Sequence, residues 1–357
     1  MTEITRKLAS VRRIDAIRPI PNADAIEAAV IGGWVVVVKK GEFAVGDFAV
    51  YFEIDSWVPH AVAPFLTSET RPPRVFNEVF GERLRTAKLR GQISQGLLLP
   101  LSILAEFMTT EQYTELNVNL FAYMDEHDSM DVTAVLGVQK WELPMTAQLA
   151  GEARSTYPSA VPKTDQERVQ NLRHQVRDWY DAALVFEVTE KLDGSSCTFY
   201  LDPEGEFHVC SRNIDLKETE GNAFWDAAKA ADIEAKMRAA GLLGIAIQGE
   251  LIGAGIQGNQ FKLKGHRFYA FDVYSVLLGE YLNSTERHNL VQRLGLNHAP
   301  VIAIAELETA DVEALILAAE GASMLNQSHR EGLVFKCIDQ PHISFKTISN
   351  KWLLKQE

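Results

Sequence analysis

No run in the 357 residues is long and apolar enough to suggest a membrane span. The opening "MTEITRKLASVRRIDAIRPI" is charged throughout and lacks the apolar core of a secretory leader, so a soluble cytoplasmic protein that binds no membrane is expected. Cysteine is scarce. Cys197, Cys210 and Cys337 are odd in number and far apart, which indicates neither a disulfide framework nor a Cys-based zinc site. The nine histidines show no metal-binding spacing. Internal repeats and low-complexity segments are also missing. The formal net charge of −13 excludes a protein coated in basic surface, though not a local basic groove.

What is present is an ordinary globular composition, 46% hydrophobic and 23% charged, on a chain long enough for two domains. The first part reads as β-rich. "WVVVVKK" (34–40), "FAVYFEI" (48–54) and "GLLLPLSIL" (96–104) are short apolar runs punctuated by Gly and Pro, and "AEFMTTEQYTEL" (105–116) reads as a helix. Such spacing suggests a small barrel or sandwich. "IRPIPNADAIEAAVIGGW" (17–34) and "KLRGQISQGLLLP" (88–100) resemble stretches of OB-fold tRNA-binding modules, which implies an OB-like nucleic-acid-binding domain over residues 1–120. Residues 71–90 hold six basic side chains against two acidic ones, the most basic stretch of the chain. Taken alone it is a solvated charge run. Beside the OB resemblance, Arg83, Arg85, Lys88 and Arg90 become candidate nucleic-acid contacts.

From about 118 to 165 the pattern loosens, and residues 121–163 are expected to form a linker. "TDQERVQNLRHQVRDWYDA" (164–182) restarts as a helix, with Thr164 and Glu167 at capping-box spacing. Residues 164–357 then alternate strand-like runs, such as "ALVFEVTEK" (183–191), "IAIQGELI" (245–252) and "RFYAFDVY" (267–274), with helix-like ones at 222–241, 284–295 and 311–321. Tight turns such as "DPEGE" (202–206) join neighbouring strands, so the class expected is α+β with antiparallel sheets flanked by helices.

Within "TEKLDGSSCTFY" (189–200), Lys191-Leu192-Asp193-Gly194 fits K-x-D-G. Three fixed residues are a weak signal, and taken alone a surface turn is the better explanation. Order strengthens it. "SRN" (211–213), "GELIG" (249–253), "FYAFDVY" (268–274), "EGLVFK" (331–336) and "SFK" (344–346) follow, and together they resemble the motifs of covalent nucleotidyltransferases in their family sequence. The resemblance is closest to ATP-dependent RNA ligases of the Deinococcus type, in which an OB-like domain precedes an ATP-grasp-like adenylyltransferase domain. It covers nearly the whole chain.

That resemblance implies ATP and Mg²⁺ or Mn²⁺ as cofactors, and RNA or RNA/DNA hybrid ends, at duplex nicks, as partners. Lys191 would attack the α-phosphate of ATP. A free lysine titrates near about 10.4, so bringing the amine close to neutrality costs roughly 4 kcal/mol, which desolvation, neighbouring cations and a metal ion can supply. Lys336 and Lys346 would face the phosphates. Glu331 and Glu250 would hold the metal, with the two glycines beside Glu250, Gly249 and Gly253, allowing close approach to a ligand, and Asp193 would orient a hydroxyl or a metal-bound water. Phe271 would stack on adenine, although its run is also a good core strand. Arg212 would contact nucleotide and RNA, with Ser196 and Gln257 further RNA contacts.

Two features depart from the pattern of the phage T4 double-strand RNA ligase relatives. Ser196 stands where they carry Asn, and Lys346 is followed by Thr347 and Ile348 rather than by a second lysine one residue on. A capping guanylyltransferase and a DNA ligase are the other enzyme readings. Against both, only eleven residues follow Lys346, too few for their C-terminal OB domain. A non-catalytic RNA-binding protein on a ligase-like fold is a third reading, disfavoured because every charged motif residue is present.

Overall fold

The computed structural model describes residues 6–142 and 151–355. The chain divides into two compact units, Met1–Pro144 with Leu353–Glu357, and Met145–Trp352.

The first unit is built from short antiparallel strands. Ala9–Arg13 pairs with Phe48–Phe52, which pairs on its other side with Leu97–Pro100. Ala16–Pro19, Ile26–Ile31 and Trp34–Lys39 form a three-stranded sheet. In the last of these, Trp34, Val36 and Val38 point inward while Val35 and Val37 are half-buried, the period-2 pattern of a strand with one face on a core. The hairpin Thr86–Leu89/Gln92–Gln95 turns through Arg90 and Gly91, both at positive φ (49° and 87°), as a two-residue primed turn requires. The helix expected over 105–116 is displaced: Leu101–Glu106 is a 3₁₀ segment, and the helix runs Thr110–Glu126. Thr109 accepts from Gln112 N while the Gln112 side chain accepts from Thr109 N, a capping box that fixes the start. Residues 121–142, given to a linker by the sequence pattern, thus complete a helix and carry the strands Met130–Asp131 and Gln139–Lys140 of this unit. Of the remaining linker stretch, residues 143–150 lie outside the described residues, and Ala153–Thr156 is an edge strand of the second unit.

The second unit holds two sheets. The larger runs Ala153–Thr156, Ile214–Leu216, Phe207–Cys210, Ser195–Leu201, Ile245–Gly253, His266–Ser275, Glu280–Tyr281, with Asn297–His298 added beside His266–Ser275. The smaller runs Val301–Glu306, Val185–Lys191, Gly332–Cys337, Ser344–Ile348. Each packs its main apolar core against helices on one face, and the other face of the larger sheet carries a smaller apolar cluster of Tyr200, Ala246 and Tyr274 with Val161. Cys197, Phe199, Ile247, Leu251, Phe268 and Val273 join a core with the helices Ala223–Ala230, Ile233–Ala239 and Ser284–Arg293. Phe186, Val188, Leu333, Phe335 and Phe345 join another with the helices Arg173–Asp181 and Val312–Ala318. The single helix expected over 222–241 is two helices, broken at Asp232, whose φ of 50° no helix interior accepts.

Thr164 does not cap a helix. The helix begins at Arg173, after a 3₁₀ turn at Val169–Asn171, and has no side-chain cap. The Thr164 hydroxyl lies 3.2 Å from that of Ser196, and Glu167 accepts from Arg168 N and from the Asn171 amide. The local spacing matches a capping box, but other partners take both side chains.

Candidate active site

Strand parity places the lysines. In the smaller sheet, Lys191 pairs with Gly332 and Gly332 with Ile348; Thr189 pairs with Val334 and Val334 with Lys346; Glu187 pairs with Lys336 and Lys336 with Ser344. Directly opposed residues share a face. Lys191, Lys336 and Lys346 therefore stand on one polar face, opposite the Phe-rich core face. Close strand approach helps: a Cβ on Gly332 would lie 2.1 Å from Thr347 O, so any side chain there would push the Lys346 strand away.

Glu331 directly precedes Gly332, and its Oε1 lies 2.8 Å from Lys191 Nζ. The other two carboxylates come from the larger sheet and its turn. Glu250 pairs with Ser196 across the strands and is half-buried, and Asp193 sits in the turn between the lysine strand and Ser195–Leu201. Burial pushes Asp193 up to about 7, with the Glu331 carboxylate adding to it and Lys191 opposing it. Burial, Glu331 and Asp193 push Glu250 up to about 8 against the pull of Lys191. Burial alone would lower the Lys191 amine, but Glu331, Glu250 and Asp193 outweigh it and hold it above the ordinary lysine range. Burial thus acts on the amine in the direction the sequence suggests, and the neighbouring carboxylates act against it. The three carboxyl groups around one ammonium offer hard oxygen donors, and a divalent cation such as Mg²⁺ or Mn²⁺ would favour the ionised form that burial and mutual repulsion disfavour in Asp193 and Glu250.

Lys336 is not a free, phosphate-facing cation. It is 7% exposed, its Nζ donates to Asp272 of the larger sheet, and it lies 5.6 Å from the centre of the Tyr281 ring. Burial lowers its pKa, with Asp272 acting against this and Arg287 with it. Strand phase gives the face, but the partner across the gap, Asp272, comes from another sheet. Behind it Glu187 accepts from Arg287 at 2.6 Å and is 2.8 Å from His288 Nε2, a buried network that sequence reasoning does not foresee. Its only sequence signal is polar residues inside strand-like runs. Lys346 is half-buried, and its backbone N donates to Glu167 O at 2.8 Å.

Phe271 is the extra residue of a β-bulge. Gln248 pairs with Asp272 and Gly249 with Ala270, leaving Phe271 without an opposite. It is half-buried and stands outside the apolar clusters that take Phe268, Tyr269, Ala270, Val273 and Tyr274. Bulges re-aim side chains in this way. Gly249, expected to admit a ligand, admits Phe268 instead: a Cβ there would lie 2.4 Å from that ring.

Arg212 donates through Nη2 to both oxygens of Asp165, at 2.9 and 2.7 Å, and its charge reaches Glu250. Ser196 lines the same narrow cleft as Arg212, with Tyr157, Lys163, Thr164 and Asp165. Gln257 is exposed, in the 3₁₀ turn Gln257–Asn259. In the first unit Arg83 is engaged, 2.6 Å from Asp55 and 3.8 Å from the centre of the Trp141 ring, and Arg74 pairs with Glu82. Arg85, Lys88 and Arg90 are exposed, with no ion pair among the described residues.

Known proteins are similar to this chain in sequence and fold. A family model described as an OB-fold domain matches residues 8–101, and one described as RNA ligase matches residues 184–352. A Naegleria gruberi RNA ligase variant with ATP and Mn is 40% identical, with 98% of this chain and 99% of that chain covered and a TM-score of 0.86. A second variant, with AMP and Mn, and the same ligase with PPi are each 41% identical, covering 98% of this chain and 99% of theirs at a TM-score of 0.85. No match emerged among curated proteins. Fold and site together define a polynucleotide ligase, with an OB-fold unit preceding the catalytic one. The chain belongs to the RNA ligase family. Among the described residues no helix is long and apolar enough to cross a membrane.

Proposed function

We propose that this protein is an ATP-dependent RNA ligase that joins 3′-hydroxyl and 5′-phosphate ends at nicks in duplexes, including RNA/DNA hybrids, in the Deinococcus-type arrangement. The observation that carries the chemistry is the convergence of Glu331, Glu250 and Asp193 on Lys191, the end residue of its strand.

In the first step the Lys191 amine, having lost its proton, attacks the α-phosphorus of ATP. An N–P bond forms, the bond to the bridging oxygen of the β-phosphate breaks, and pyrophosphate leaves with the electron pair. AMP then passes to a 5′-phosphate oxygen as the N–P bond breaks. Finally the 3′-hydroxyl attacks that 5′-phosphorus, and AMP departs. Glu331, Glu250 and Asp193 would hold Mg²⁺ or Mn²⁺, which supplies Lewis-acid neutralisation of phosphate charge when bound. Glu331 accepts a hydrogen bond from the Lys191 ammonium and keeps the amine at the strand end. Lys346 shares the Lys191 face and supplies positive charge for the phosphates. Phe271 stacks on adenine. Lys336 fixes the floor of the cleft through Asp272. Arg212, Ser196 and Gln257 meet the RNA, and Arg85, Lys88 and Arg90 meet the duplex. The three buried free thiols suit a reducing cytoplasm.

The test is incubation with α-labelled ATP and, separately, α-labelled GTP, with Mg²⁺ or Mn²⁺, then a denaturing gel. Label from ATP that stays on the chain and disappears in Lys191→Ala is expected. Label from GTP instead would move the protein to the capping enzymes. Label from neither would remove the covalent mechanism. Sealing of a nick with a 3′-ribose but not a 3′-deoxyribose end separates RNA from DNA ligation.

A further inference from the structure

The segment from Tyr157 to Asp165 lies over the face of the larger sheet that carries Thr198 and Gln248, where Val161 packs with Tyr200, Ala246 and Tyr274, and it is fastened there. Gln248, fully buried, donates through Nε2 to the Tyr157 hydroxyl at 3.1 Å and to Pro162 O at 2.7 Å. The Tyr157 hydroxyl is also 3.2 Å from that of Thr198. The next residue after Pro162 is Lys163, so its place is set by a buried amide rather than by a free loop. Lys163 Nζ donates to Asn213 Oδ1 at 3.2 Å, beside Arg212. Lys163, Thr164, Asp165, Ser196, Arg212 and Tyr157 line one narrow cleft, open to solvent on one side and too tight to admit a water molecule while the Asp165 carboxylate lies in it.

Two cations and the hydroxyls of Tyr157, Thr164 and Ser196 around one cleft form a set of donors for an oxyanion. The anion now in it is intramolecular: the Asp165 carboxylate, which takes two hydrogen bonds from Arg212. The Asp165 and Arg212 side chains are 49% and 43% exposed, so the pair is worth little and gives way cheaply to a more highly charged group. The cleft adjoins the Lys191 site, since Ser196 is the strand partner of Glu250.

We propose that this cleft is a phosphate subsite for the polynucleotide end, that Lys163 is its second cation beside Arg212, and that Asp165 holds the place of the phosphate until the end arrives. The inference rests on the ligase reading of the neighbouring site. It adds two positioning residues, Lys163 and Asp165, from a segment that precedes the nucleotidyltransferase motifs.

The experiment uses the full chain, adenylylated with ATP, and a nicked RNA duplex bearing a 5′-phosphate. Sealing is expressed per adenylylated molecule across RNA concentrations and at several salt concentrations. Lys163→Ala is expected to raise the KM for the nick about tenfold with little change in kcat, and to reduce the slope of log KM against log salt by about 0.9. Lys163→Arg should restore both, which a purely structural loss would not. Asp165→Asn should lower the KM by removing the competing carboxylate. Unchanged KM and salt slope in Lys163→Ala, or a raised KM in Asp165→Asn, would overturn the subsite while leaving the ligase reading intact. Failure of the unmodified protein to form lysyl-AMP would overturn both, and is read separately on the gel.

Discussion

Lys191 and Glu331 meet because of one strand register. Lys191 is paired with Gly332, Glu331 is the residue before it, and the two side chains close to 2.8 Å. The pairing favours the charged form of Lys191, the proposed nucleophile, through the carboxylates proposed to hold the metal. Glu331→Gln should therefore have opposite effects on two readouts. Lys191 is 27% exposed, so an amine-acylating reagent can reach it. At pH 8–9 its acylation, followed by mass spectrometry of the Lys191 peptide, should rise because a favourable charge partner is gone. Adenylylation from ATP should fall at least 100-fold. Acylation that falls as well would mean that Glu331 does not hold the amine in its charged state.

Phe271 offers a cleaner separation of binding from folding. It is the unpaired residue of the bulge and lies outside the cores, whereas Phe268 is buried in one. Phe271→Ala should raise the KM for ATP about 5- to 150-fold, the equivalent of about 1–3 kcal/mol of stacking, and shift the urea midpoint little. Phe268→Ala should destabilise the unit by about 3–5 kcal/mol. Equal losses of stability in the two variants would return Phe271 to the role of a core residue.

The alternation in "VFEVTEK" and "GLVFKC" makes the lysine strand and its neighbour legible, and motif order alone groups Lys191 with Glu250 and Glu331. What period 2 cannot supply is the partner across a gap between sheets. The pattern puts Lys336 on the right face but not beside Asp272, which reaches it from a strand 64 residues away. Local spacing also misleads at Thr164, where a capping pattern loses to the Ser196 hydroxyl. The helix Thr110–Glu126 outruns its sequence signal because polar and apolar residues mix around it, leaving only Leu116 and Leu120 buried. Phe271 cannot be told from its strand neighbours, since a bulge leaves no mark in composition.

The network behind Lys336 sets a pH limit on stability. Burial, aided by Arg287, lowers His298 to about 4, although its hydrogen bond to Ala299 O favours the charged form. The unfolded chain takes up this proton near about 6.5 and the folded one only near 4, so the fold binds fewer protons between them. Stability therefore falls as pH drops from about 6.5 to 4, by about 3 kcal/mol at most, and this contribution is constant above that window. Urea unfolding of the unmodified protein and of His298→Gln at pH 7 and pH 4.5 measures it. The gap between the two pH values should narrow by about 2 kcal/mol in the variant; an unchanged gap would assign the loss to other groups.

The hairpin of the first unit carries the last expectation. Arg83 is held by Asp55 and Trp141, and Arg74 by Glu82, so much of the basic stretch is neutralised within the fold. Arg85, Lys88 and Arg90 stay exposed, with Arg90 at the tip of the turn. Each phosphate contact contributes about 0.9 to the salt slope of duplex binding. Replacing all three by Ala should weaken duplex binding and cut the slope by about 2 to 3, while Arg83→Ala should chiefly lower the stability of the unit. A triple variant with an unaltered slope would place the duplex on another surface, since exposed cations that touch phosphates cannot be removed without releasing fewer counterions.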